Sequence, residues 1–279
     1  MRWKYVPLLL TFVFAFDGPA AKSETGLTAR GVSLPAEASV TDKEQTAMLS
    51  DQATACIRER KPMRAIALLS ELIRRDPTDA SAYLNRGSAQ ASTGEIVLAL
   101  SDYTTAIHLQ PDLIEAWYNR GTTFLRLHRY ERAISDFTEA MRLKRDFALA
   151  YCNRGLANFQ LGRYDDALAD YTVAVEQDAS LSYCHFNRGN LYLALGEYRR
   201  AIDDLTEALI ARPKDAIAKS RRGQAHEALG EFSLALDDFR EALELNPKLE
   251  SAQEGVSRIT AQQQHSDRQA PAVSAPRPN

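Results

Sequence analysis

The sequence predicts an all-α fold, a solenoid of stacked antiparallel helix pairs, and three observations predict it. Asn-Arg-Gly recurs at Asn85-Arg86-Gly87, Asn119-Arg120-Gly121, Asn153-Arg154-Gly155 and Asn187-Arg188-Gly189, each 34 residues after the last, and Arg221-Arg222-Gly223 keeps the register. Small residues return in the same register, at Ala99, Ala133, Ala167, Ala201 and Ala235 and again at Ala106, Ala140, Ala174, Ala208 and Ala242. Between them, Gly94, Gly162, Gly196 and Gly230 stand where the first helix of each pair should stop. A period of 34 residues in helical sequence marks a helix–turn–helix array, in which each unit buries its apolar face against the next.

Taken in order, the chain opens with Arg2 and Lys4, the apolar run Val6–Phe16 and the small residues Gly18, Ala20 and Ala21. That order is the one a secretory signal peptide uses, so residues 1–21 predict an export signal, with an uncleaved membrane anchor as the alternative. The apolar run is well short of the roughly 20 residues that span a bilayer. Residues 22–41 mix Ser, Thr, Gly, Pro and charge without a period and are expected to be a flexible lead-in. Thr41-Asp42-Lys43-Glu44 has capping-box spacing and places the first helix start near 42. Repeats then follow at 46–79 (a degenerate copy), 80–113, 114–147, 148–181, 182–215 and 216–249. Asp112, Asp146 and Ser180 are expected to cap the helices that follow them. Leu249, Ala252, Val256 and Ile259 lie at helical spacing and predict a capping helix over 250–264. Residues 265–279, rich in Pro and Ala, are expected to be a disordered tail.

Composition narrows the function. With 34 Lys+Arg against 37 Asp+Glu there is no basic footprint for nucleic acid. The three cysteines, Cys56, Cys152 and Cys184, cannot pair completely, and small apolar packing explains them better than redox or metal chemistry. The five histidines form no local ligand motif, and paired carboxylates such as Asp165-Asp166 recur with the period, so they belong to the scaffold. No phosphate-cradling glycine loop is present, and no cofactor or catalytic set is predicted.

Counted from each repeat's first residue, position 4 carries Tyr83, Trp117 and Tyr151, position 8 a glycine, positions 20 and 27 alanines, and position 24 Tyr103, Phe137, Tyr171, Leu205 and Phe239. Pro111, Pro213 and Pro247 end their repeats, whereas Arg145 and Ala179 replace that proline. On these residues the chain resembles the tetratricopeptide repeat family over about three-quarters of its length. The resemblance implies a right-handed superhelix whose first helices line a concave groove, and a scaffold that binds a protein or peptide.

Two residue rows bear on that expectation. Arg86, Arg120, Arg154, Arg188 and Arg222 at position 7 are matched by Asp102, Asp136, Asp170, Asp204 and Asp238 at position 23, and the degenerate repeat loses both, having Gln52 and Leu68. Joint presence and absence predicts a ladder of internal ion pairs in preference to a row of ligand-binding arginines. The second row is position 6, with Asn85, Asn119, Asn153, Asn187 and then Arg221. An amide both donates and accepts, so such a row can hold an extended peptide backbone; the resemblance implies this use, since some family members have such an asparagine ladder.

The resemblance also points positions 2, 5, 6, 9, 12 and 13 into the groove. There the middle of the chain is apolar: Tyr118, Leu125, Leu149, Cys152, Leu156, Phe159, Tyr183, Phe186 and Leu193, with Asn190 among them. An exposed apolar patch marks a binding site; homo-oligomerisation and occlusion by neighbouring helices are the alternatives. The groove ends are polar, with Ser81, Ser88 and Ser92 at one and Ser220, Gln224 and Glu227 at the other. The family's carboxylate clamp is incomplete: Asn187 and Arg221 are present, but Cys152, Leu156 and Ile217 stand where its other groups belong.

Overall fold

The computed structural model describes residues 37–269, as thirteen α-helices with no strand among the described residues. The export signal, most of the lead-in and the end of the tail fall outside them. Two compact units divide the chain, one through Leu127 and one from His128.

In the first unit, α1 (Glu37–Arg58) pairs with α2 (Pro62–Arg75), α3 (Ala80–Thr93) pairs with α4 (Ile96–Leu109), and α5 (Ile114–Arg126) packs on both α4 and α3. In the second, α6 (Tyr130–Leu143) packs on α7 (Ala148–Gln160), and α7 pairs with α8 (Tyr164–Gln177). Then α9 (Ser182–Leu195) pairs with α10 (Tyr198–Ala211), α11 (Ala216–Ala228) pairs with α12 (Phe232–Leu245), and α13 (Glu250–Gln269) covers α11 and α12. The helices α3, α5, α7, α9 and α11 begin at residues 80, 114, 148, 182 and 216, the first residues of the repeats.

Three local expectations need correction. Helix α1 begins at Glu37, upstream of the capping box and inside the expected lead-in, and α13 continues to Gln269, into the expected tail. No proline interrupts either stretch before Pro271. Asp112, Asp146 and Ser180 do not cap: each stands one residue before the actual N-cap, which is Leu113, Phe147 or Leu181. Leu113 and Leu181 instead pack against the cores of their own units. Side-chain capping occurs where an aspartate falls on the N-cap itself, from Ala82 N–H to Asp79 and from the Ile217 and Ala218 N–H groups to Asp215.

Close helix approach explains the small residues. A Cβ on Gly155 would lie 2.9 Å from the Tyr171 ring and 3.2 Å from the Ala167 carbonyl oxygen. Ala167 and Ala174 are wholly buried around that ring. Position 15 is left-handed, as at Gly94 with φ +87°; the same position holds Arg60 and His128, both at φ +55°. Cys152 and Cys184 are buried in one cluster with Tyr171 and Leu191, where burial first and the neighbouring thiol second push the Cys152 thiol up. At the end of the second unit, Ala252 and Ile259 of α13 bury against Leu236 and Phe239 of α12, with Leu249 and Val256 partly buried beside them.

Candidate functional site

The arginines of position 7 are consumed inside the scaffold. Arg154 donates from Nε to Asp170 Oδ2 at 3.0 Å and from Nη2 to Oδ1 at 2.7 Å. Arg86–Asp102, Arg188–Asp204 and Arg222–Asp238 repeat this two-pronged geometry at 2.7–2.9 Å. The carboxylates are buried and the guanidiniums partly so. The remaining Nη1 reaches back to a hydroxyl of the preceding hairpin: Arg86 to Ser70, Arg120 to Thr104 and Arg154 to Thr138 at 3.1 Å, and Arg222 to Thr206 at 3.2 Å. That hydroxyl recurs at position 25 of every repeat named, a period legible in the sequence. Arg86, Arg154 and Arg222 therefore each tie their own hairpin to a hydroxyl of the one before.

Charge states follow from this packing. Hydrogen bonding to Asp102 raises Arg86 above its usual value, and hydrogen bonding to Asp238 raises Arg222. Burial alone would lower Arg154 and Arg188, but their aspartates outweigh it. Asp204 is pushed up by burial and pulled further down by Arg188 and by the ring of His185, whose Nδ1 lies 2.9 Å from Asp204 Oδ1; its net shift is below the ordinary aspartate value.

Position 6 differs. The side chains of Asn85 and Asn187 are half-exposed and have no protein hydrogen-bond partner among the described residues. Asn119 donates to Ser88 Oγ at 3.2 Å, and Asn153 is half-exposed as well. Among the described residues no carboxylate pairs with Arg221; it donates to Gln224 Oε1 at 3.2 Å, and burial lowers its pKa.

The apolar centre is smaller than its sequence suggests. Tyr118, Leu125, Cys152, Leu156 and Asn190 are buried, so they form no exposed patch. Cys152 belongs to the cluster that joins α7 and α8 to α9. Phe159, with its ring centroid 5.6 Å from that of Tyr164, and Tyr183 pack against the same cluster. Phe186 and Leu193 pack against Ala201, Leu205 and Ala225. What stays half-exposed is Leu149, Phe159, Tyr183, Phe186 and Leu193.

A groove of about 610 Å³ opens in the first unit, in the usual size range of ligand pockets. Asn85, Ser88 and Ser92 of α3 face Tyr118, Asn119 and Thr122 of α5 across it, and the α1–α2 turn forms one rim. Tyr103 lies at its base, where burial first raises the phenol to about 12 and a contact with Ser88 Oγ at 3.4 Å opposes that rise. Among the described residues no set of His, Cys, Asp and Glu could hold a metal, and no helix is long and apolar enough to cross a membrane.

Comparison with known proteins places these features in a family. The tetratricopeptide repeat family model matches residues 50–114, 118–182 and 186–250, together more than half of the chain. No curated protein sequence matches. Among solved structures, YrrB, described as a tetratricopeptide repeat protein with an unusual peptide-binding site, is 21% identical with a TM-score of 0.59, over 68% of this chain and 97% of that one. PilF from Pseudomonas aeruginosa is 16% identical with a TM-score of 0.71, over 78% and 99%. MamA from Desulfovibrio magneticus RS-1 is 20% identical with a TM-score of 0.56, over 61% and 96%. At these identities the likeness concerns the fold.

Proposed function

The chain belongs to the tetratricopeptide repeat family, and from that membership we propose that it is an exported scaffold holding a protein or peptide partner on the first helices of its hairpins. The observation that carries this reading is the contrast between positions 6 and 7. Every described position-7 arginine is spent on the scaffold, whereas Asn85 and Asn187 present amides with no hydrogen-bond partner among the described residues. A side chain with both a donor and an acceptor matches the alternating N–H and C=O groups of an extended peptide. The half-exposed Leu149, Phe159, Tyr183, Phe186 and Leu193 supply apolar contact for a bound segment's side chains. That a structural neighbour is described as peptide-binding accords with this reading. Export rests on Arg2, Lys4 and the apolar run Val6–Phe16, and makes the protein periplasmic in a bacterium and secreted otherwise.

The test is partner capture from the native compartment by the unaltered chain and by an Asn85→Ala/Asn187→Ala variant. A partner recovered by the first and lost by the second supports the reading; equal recovery removes the asparagines from it. The second reading is self-association, for which Val97 and Leu98 on α4 speak, being 80% and 53% exposed. Light scattering across a concentration series separates the two, because a concentration-independent monomer rules self-association out.

A further inference from the structure

Two of the three cysteines meet across a boundary between hairpins. Cys152 stands at position 5 of the repeat 148–181, on α7, and Cys184 at position 3 of the next, on α9. The stacking brings these two positions together in the first unit as well, where Leu84 of α3 and Ala116 of α5 share a buried cluster. In the other repeats from residue 80 onward, position 3 is Ala82, Ala116, Ala150 and Ala218, and position 5 is Leu84, Tyr118, Phe186 and Ser220. Cysteine therefore stands on both sides of one contact between hairpins, and at neither position in any other repeat.

Both side chains are wholly buried, in one cluster with Tyr171, Val175 and Leu191. The Cys184 thiol donates to the Tyr171 carbonyl oxygen at 3.9 Å. It also lies against Cys152: after burial, a side-chain hydrogen bond with Cys184 is the strongest influence raising the Cys152 thiol, and a hydrogen bond with Tyr183 opposes it. Packing by volume asks only for a small residue at position 3, which alanine supplies in four repeats. It does not call for sulfur on both sides of the contact. Cys56 belongs to a different cluster, with Ala65, Leu69 and Leu72, and is the thiol left over.

We propose that Cys152 and Cys184 form a disulfide that staples the hairpin of α7 and α8 to the hairpin of α9 and α10. Two S–H bonds break and one S–S bond forms. The two protons and two electrons pass to an incoming disulfide, which is reduced to two thiols. That oxidant is a thiol–disulfide exchange partner of an oxidising compartment, and it alone depends on the export proposed above. The attacking species is a thiolate, which a buried thiol with a raised pKa does not readily give. Exchange therefore takes place while α9 is still undocked, and docking seals the bond. In a repeat array each interface between neighbours can open by itself, and a covalent link across one removes that opening. The link also holds Leu149 and Phe159 of one hairpin in fixed relation to Tyr183 and Phe186 of the next.

The experiment counts thiols in the full chain. Protein recovered from its native compartment without reductant is denatured in N-ethylmaleimide, digested and mapped by mass spectrometry. Only Cys56 is expected to carry the label, with the peptides of Cys152 and Cys184 recovered as one linked species. A second sample, reduced in denaturant and refolded with glutathione and glutathione disulfide, does not depend on export. It should close the same bond, and its unfolding constant in urea should lie on the order of a hundredfold below that of the chain refolded with reductant. Cys184→Ala, which places there the residue of four other repeats, should fold and show no difference between the two refolding conditions. A bond that closes on refolding while the native chain carries three labels supports the pairing and removes the export reading. Three labels after both treatments, a link from Cys56 to either partner, or glutathione attached singly to Cys152 and Cys184 overturns the pairing. A closed bond that leaves urea unfolding unchanged overturns the staple. Partner capture decides the scaffold reading separately.

Discussion

At the scale of single residues, the arginine and aspartate rungs show how a charge becomes structural. Asp170 is buried and accepts from Arg154 twice and from Asn158 Nδ2 at 3.1 Å, so removing the guanidinium leaves a buried carboxylate without its counter-charge. Breaking a buried pair costs about 3–5 kcal/mol, and the partial exposure of Arg154 puts the loss for Arg154→Ala near about 3 kcal/mol. Replacing both partners, as in Arg154→Met/Asp170→Leu, should cost less, because no charge is stranded. Urea unfolding of the three proteins measures this; an unchanged midpoint for Arg154→Ala together with lost partner binding would instead make the arginine a ligand group. Asp204 adds a pH dependence. Its folded pKa is lowered from 3.8, so the folded state binds its proton less readily than the unfolded chain does. Its stabilisation is present above the ordinary aspartate value and disappears as pH falls through the folded value. Asp204→Asn should therefore flatten the acid limb of a stability–pH curve while lowering the curve at neutral pH, and an unaltered acid limb would count against the assignment.

At the scale of elements, the hairpins are set by contact distance. Gly155→Ala would push a methyl group into Tyr171 and toward the Ala167 carbonyl, both members of a packed helix pair. Overpacking of this kind costs about 1–3 kcal/mol, and thermal unfolding should show it. Helix α13 works through a different contact: Ile259 is 1% exposed against the α12 core. Ile259→Ala should destabilise the second unit by about 2–5 kcal/mol, and hydrogen exchange should speed first in α12 and α13. Exchange that rises first in the first unit would show that α13 does not protect the array's end. These element-level features were readable because a glycine or alanine at a fixed interval has one economical cause, close helix approach. The N-caps fall one residue beyond the expected acid or serine, at Leu113, Phe147 and Leu181, and Leu113 and Leu181 gain apolar contact there in place of a capping hydrogen bond.

At the scale of the whole molecule, the working surface is shared out between scaffold and ligand. Stability in a repeat array is the sum of each unit and its neighbour contacts, so residues spent on neighbour contacts are withdrawn from binding. Export belongs to this scale too. Intact-mass measurement of the chain recovered from the native compartment should find a start after Ala20 or Ala21, and a full-length mass in the membrane fraction would favour the anchor instead.

The sequence by itself determined the fold class, the register of the repeats and the pairing of Arg with Asp, because each is a periodic demand on residue type that every hairpin must meet. It could not determine which groove positions reach solvent. Cys152, Leu156 and Asn190 hold groove positions by count yet are buried, and Cys152 is closed over by Cys184 and Leu191 of the following hairpin. Nor could it bring Arg126 beside Arg58 and Arg60, since Arg126 lies on α5, two repeats beyond the α1–α2 hairpin that carries the other two. Periodicity records what a hairpin needs of itself. Exposure and the convergence of charges depend on where the next hairpin lies, and only the tertiary structure decides that.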